Sequence, residues 1–152
     1  MSFSSKPFSV KKDDLYYFYK NIVLEWETEW KTKRFLYSEG SLGSWAQQKS
    51  INLKVFDSTD KLNLALNTEF SSEAKKFRGI FWMVKKDTKP KDTLRHLRNA
   101  FSHAHFSKCQ KNKIECLAIQ CIDKNKIKAQ GYIPIDDLKG LITAILTCYV
   151  DD

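Results

Sequence analysis

SSEAKKFRGIFWMV, residues 71–84, is the stretch on which the architecture turns. Ser71 or Ser72 can cap a helix, and Ala74, Phe77, Phe81 and Val84 then fall on one helical stripe. Its second half, IFWMV, is apolar all round, which predicts a deeply packed helix. Read this way, the segment makes the chain a bundle of helices.

The flanking sequence extends that reading. Asp13 and Asp14 are N-cap candidates for a long first helix running to about Ser38 and stopped by Gly40. Leu15, Phe18, Tyr19, Ile22, Trp26 and Trp30 make its apolar stripe. Residues 41–69 stay unassigned, since SWAQQKS and KLNLALN suit short helices while INLKVFD suits a strand. Beyond residue 84, KKDTKPKDT reads as a basic turn containing Pro90, and LRHLRNAFSHAHF (94–106) as a further helix. A period-2 pattern follows. IECLAIQCI, the turn DKNK and IKAQGYIPI predict a β-hairpin within 113–135. Asp136 or Asp137 then caps a last helix with Leu138, Leu141, Ile142, Ile145 and Tyr149 inward. The expected fold is mainly α: one domain over 1–152, an antiparallel helical bundle with a β-hairpin before the C-terminal helix.

Composition bounds the function. An apolar fraction of 42% with 13% aromatics belongs to a globular chain long enough to bury a core. The opening MSFSSKPFSVKK has no apolar core of a secretory leader, and LITAILTCYV (141–150) is about half the length of a bilayer crossing. The expected location is the cytoplasm, with no membrane partner. Cys109, Cys116, Cys121 and Cys148 contain no CxxC pair and read as free or buried thiols. His103, His105 and Cys109 form a single H-x-H-x3-C cluster, where a zinc site usually shows two paired knuckles, so no metal and no cofactor are expected.

The net charge of +8 is concentrated. Residues 71–128 hold 15 Lys+Arg against 5 Asp+Glu, a local +10. That is the electrostatic footprint of a chain that meets phosphates. Lys85, Lys86, Lys89, Lys91 and Arg95, with Lys108, Lys111 and Lys113 beyond the helix, are the candidate nucleic-acid contacts.

Inside this basic segment, LRHLRNAFSHAHF collects all three histidines and two of the four arginines. Arg98 and His103 stand five residues apart, a fixed cation and an imidazole, the side-chain type that exchanges protons near neutral pH. Arginine forks onto phosphate oxygens, and histidine moves protons at neutral pH. These are the minimal parts for cleaving RNA without a metal: a base activates the 2′-hydroxyl and a cation steadies the pentacoordinate phosphate. On an ideal helix Arg98 and His103 point about 140° apart with about 7.5 Å of rise, whereas Arg98 and His105 lie within about 20°. Arg98 and His103 therefore need a bend in the helix, or a second chain, to meet one phosphate.

The run LRNAFSHAHF resembles the signature of the HEPN superfamily, R-x4-6-H with a polar residue after the arginine. The resemblance covers about 71–150 well and the first helix loosely. It implies a metal-independent endoribonuclease of a toxin–antitoxin, phage-defence or RNA-processing system, working as a homodimer, with RNA as substrate and an antitoxin or defence protein as a further partner. By position, Arg98 would bind phosphate, Asn99 would support it and His103 would transfer protons; His105 satisfies the longer spacing and is the alternative. Many members carry glycine after the motif histidine, where this chain has Ala104. Silent binding or dimerisation modules also belong to the superfamily, and a basic helical nucleic-acid-binding protein is the remaining competitor.

Overall fold

A computed structural model describes residues 11–151 of the chain. Most of the opening segment read for a secretory leader lies outside them. The helices are α1 (Lys12–Phe18), α2 (Glu25–Thr28), α3 (Leu42–Lys49), α4 (Thr59–Thr68), α5 (Phe70–Ala74), α6 (Lys89–Ser102) and α7 (Ile135–Leu146). The strands are β1 (Arg34–Phe35), β2 (Ile51–Phe56), β3 (Gly79–Val84), β4 (Phe106–Lys111), β5 (Ile114–Asp123), β6 (Lys126–Pro134) and β7 (Tyr149–Val150). The fold is mixed α/β. A five-stranded sheet in the order β2-β3-β6-β5-β4 forms its centre, with β2 and β3 parallel and the other neighbours antiparallel.

This corrects the mainly α bundle, and the error lies in IFWMV, which is β3. Ile80 and Trp82 face one side of the sheet, among Leu62, Ala65, Phe70 and Ala74 of α4 and α5. Phe81 and Met83 face the other, in the core shared with Phe18, Leu97, Phe101, Ile133 and Leu138. A strand buried on both faces shows no polar alternation, so its sequence matches a buried helix equally well. The helix expected from Ser71 or Ser72 to Val84 is the short α5, ending at Ala74 before the chain turns into the sheet.

The pair β5–β6 occupies the DKNK-centred segment, with Lys124 and Asn125 at left-handed φ of 52° and 65°, as a two-residue hairpin turn requires. It is not appended to a bundle; β6 is the central strand and pairs with β3. Gly131 allows that pairing. A Cβ there would stand 2.0 Å from the Ile80 carbonyl oxygen.

The first helix is shorter than its stripe implied. After α1 the backbone widens into a π-helical turn, Tyr19–Leu24, and α2 ends at Thr28. Phe18, Ile22 and Trp26 do point into the core, but the chain then leaves the helix axis. Trp30, Phe35 and Tyr149 pack edge to face around the small β1–β7 ladder, at centroid distances of 5.8–5.9 Å. That aromatic cluster ties the chain ahead of α3 to the residues after α7. Aspartates 13 and 14 lie in the first turn of α1 rather than at its cap. In residues 41–69 the short helices α3 and α4 fall on SWAQQKS and KLNLALN, and the strand β2 falls on INLKVFD.

Candidate functional site

The motif helix α6 starts earlier and stops sooner than the sequence implied. Pro90 sits in its first turn, where a missing N–H costs nothing, so half of the expected basic turn is helix. Asp92, fully buried, accepts the backbone N–H groups of Lys86 and Asp87 at 2.8–3.1 Å and fixes the loop from β3. At the other end His103 is the C-cap and Ala104 adopts φ 55°. The N–H of His105 then donates to the Ala100 carbonyl at 2.8 Å and that of Ala104 to Phe101 at 3.4 Å. This is the Schellman arrangement, which normally places glycine where Ala104 stands. The Tyr19 hydroxyl also donates to the Phe101 carbonyl, at 2.7 Å, bracing the last turn against the π-helical segment.

Because the helix ends at Ser102, the helical geometry that put His105 beside Arg98 does not hold. The αL residue turns the chain back, and His105 lies beside His103 instead, with ring centroids 5.8 Å apart and planes inclined by 33°. Both imidazoles line an open cleft of about 420 Å³. Its walls are Arg95, His96 and Asn99 of α6, Lys85 and Lys86 of the preceding loop, and Cys121, Ile122, Asp123 and Lys128 from the hairpin end. Four fixed cations there face one carboxylate, among the described residues, so the cleft attracts anions.

Arg98 lies outside that lining. Its Nη1 donates to Asn99 Oδ1 at 3.0 Å, and its Nη2 is ion-paired with Glu27 of α2. Its Nε is buried without a partner. Asn99 thus touches both halves of the motif, holding Arg98 on one side and lining the cleft with the histidines on the other. Within one chain Arg98 is held by Glu27 and Asn99 and does not line the cleft that His103 lines.

The remaining expected contacts are scattered. Arg95 lines the cleft but is held by Asp92 at 3.1 Å and stacks over the Trp26 ring. Lys89 lies over the Tyr37 ring, and burial lowers its pKa. Lys91 is buried, its Nζ donating to the Lys33 carbonyl, so it serves the fold rather than the surface. Lys108 is ion-paired with Glu115. Lys111 donates to the Phe77 carbonyl, and Lys113 occupies the β4–β5 turn at φ 67°. That turn lies a strand length from the cleft, about 16 Å. Lys85 and Lys86 are the expected lysines that reach it.

Four residues of the site went unassigned in the sequence. Lys128 comes from β6, Glu27 and Tyr19 from the first helical segment, and His96 from α6 itself. Buried His96 has Nε2 3.0 Å from the Val84 carbonyl, so Nε2 carries the proton, and desolvation lowers its pKa. Its Nδ1 has no partner. Cys121 places Sγ 3.1 Å from the His96 carbonyl, and burial pushes its thiol up to about 12. Cys116 is raised to about 11 for the same reason. Both remain thiols at neutral pH, neither nucleophiles nor ready metal ligands. Among the described residues no three His, Cys, Asp or Glu side chains converge on a metal-sized site, and no helix is long and apolar enough to cross a membrane.

A motif arginine with its polar neighbour and two histidines, gathered around a helix end beside a basic cleft, resembles a HEPN site. Residues 14–152 match the family model described as HEPN pEK499 p136, and the chain belongs to that HEPN family. HEPN domains as a group include RNases and act in toxin and defence systems; they typically dimerise and bind RNA. No curated protein and no solved structure matches the chain.

Proposed function

We propose that this chain is a metal-independent endoribonuclease of a toxin–antitoxin, phage-defence or RNA-processing system, acting in the cytoplasm. RNA is cleaved through its own 2′-hydroxyl. Arg98 binds the scissile phosphate, Asn99 orients Arg98, and His103, or His105 in its place, transfers protons. Lys85, Lys86, Arg95 and Lys128 guide the strand into the cleft. The observation that carries this reading is Asn99, which lines the cleft with both imidazoles while its Oδ1 holds Arg98. DNA is spared because it lacks the nucleophile.

The site is composite in this reading. Arg98 of one protomer meets the histidines of its partner across a C2 axis, since within one chain Arg98 does not line the cleft that holds them. A mixture of Arg98→Ala protein with the His103→Ala/His105→Ala double variant tests this. Each should be nearly inactive alone, and subunit exchange should restore roughly a quarter of wild-type RNA cleavage, the random-pairing result for one intact site per mixed dimer. A mixture as inactive as its components contradicts the composite site. A second reading, a silent HEPN module that binds or dimerises, draws support from the Glu27 carboxylate already on Arg98; binding of RNA without cleavage would select it.

A further inference from the structure

We propose that His103 and His105 act together, one as general base and the other as general acid, rather than as alternatives. The inference rests on the endoribonuclease reading and deepens it. Transesterification needs two proton transfers on opposite sides of one phosphorus. The 2′-hydroxyl proton passes to a neutral imidazole as the O2′–P bond forms. The O5′–P bond then breaks, and O5′ takes a proton from an imidazolium. The products are a 2′,3′-cyclic phosphate and a free 5′-hydroxyl, and the net proton count is unchanged.

The structure places two imidazoles close enough to share one phosphodiester. Their centroids are 5.8 Å apart, within the span of about 8 Å that two hydrogen bonds of about 2.8 Å and the separation of two phosphate oxygens make end to end, so two oxygens of one phosphodiester can each address a different ring. Both rings line the same cleft, where a phosphate is drawn by Lys85, Lys86, Arg95 and Lys128. The pairing is a product of the turn. Ala104 at φ 55° and the His105 N–H bond to Ala100 bring a residue two positions beyond the cap back beside it. His96, the third imidazole at the cleft, does not compete for either role: its Nε2–H is committed to Val84 and burial keeps it neutral. The charged groups facing the pair are the same four cations and Asp123.

Leaving-group substitution separates the two roles. The wild type, His103→Ala and His105→Ala are compared on an RNA dinucleotide and on its analogue with sulfur at the bridging 5′ position, whose thiolate leaves without a proton. On the ordinary substrate each variant should lose about 10²-fold or more in kcat/KM. On the sulfur analogue one variant should return to within roughly tenfold of wild type while the other stays impaired. The pH profile of kcat/KM should be bell-shaped for the wild type and lose a different limb in each variant. A variant with wild-type activity on the ordinary substrate, or rescue of both variants or of neither, overturns the division of roles. A wild type that cleaves neither substrate overturns the endoribonuclease reading and this inference with it.

Discussion

Glu27 holds Arg98. The carboxylate, carried by α2, rests on Nη2 of the motif arginine while Asn99 Oδ1 takes Nη1. In the proposed reading it stands where a phosphate oxygen binds, since guanidinium groups receive carboxylate and phosphate with the same fork. Side-chain exposures of 28% for Arg98 and 39% for Glu27 mean that solvent screens the pair. Such pairs are worth about 0–1 kcal/mol, so a polyanion can displace the carboxylate.

Glu27→Gln should therefore raise affinity for RNA by about fivefold, the equivalent of roughly 1 kcal/mol, with little change in thermal stability. Its binding should also fall more steeply with salt, because phosphate no longer replaces an internal anion. Fluorescence anisotropy with a 2′-O-methylated RNA, which cannot be cleaved, measures both. Unchanged or weakened binding would mean that Glu27 positions Arg98 instead of masking it.

Ala104 stores strain at the hinge between the two histidines. An L-residue in the left-handed region costs about 1–2 kcal/mol, part of which returns as unfolded-chain entropy when glycine replaces alanine. Ala104→Gly should stabilise the protein by about 1 kcal/mol and raise Tm by roughly 2–4 °C, with the turn intact. Scanning calorimetry decides it. A fall in Tm would show that the methyl group makes contacts worth more than the strain.

Much of the chain was legible for local reasons. The segments IECLAIQCI and IKAQGYIPI around the DKNK turn marked β5 and β6, and the stripe of Leu138, Leu141, Ile142 and Ile145 marked α7. What failed was long-range. Nothing local distinguishes β3 from a buried helix, because its polar alternation is erased by cores on both faces. Without β3 the parallel β2 has no partner, so the sheet shrinks to a hairpin. The clustering of His103 and His105 was visible, but their geometry depended on a helix end that the sequence masks with alanine. Glu27, 71 residues from Arg98, carried no local signal at all.

His96 should make stability depend on pH. Its folded pKa lies below the ordinary imidazole value because burial penalises the charged ring. The unfolded chain therefore binds the proton more readily. The His96 contribution is fully present above about pH 6.5 and is lost progressively as pH falls from there through the lower folded value. Urea midpoints measured from pH 7.5 down to 5 should fall in the wild type and fall less in His96→Gln. Parallel curves for the two proteins would remove His96 from the account.

In the proposed reading RNA is cleaved by transesterification through its 2′-hydroxyl without a metal, and the ends of the product report it most directly. Purified protein incubated with a labelled RNA in excess EDTA should yield fragments ending in 2′,3′-cyclic phosphate and 5′-hydroxyl. Arg98→Ala should lower that rate by about 10²-fold or more, and a DNA of the same sequence should stay intact. Cleavage that stops in EDTA and returns with Mg²⁺, or intact RNA throughout, would contradict the account.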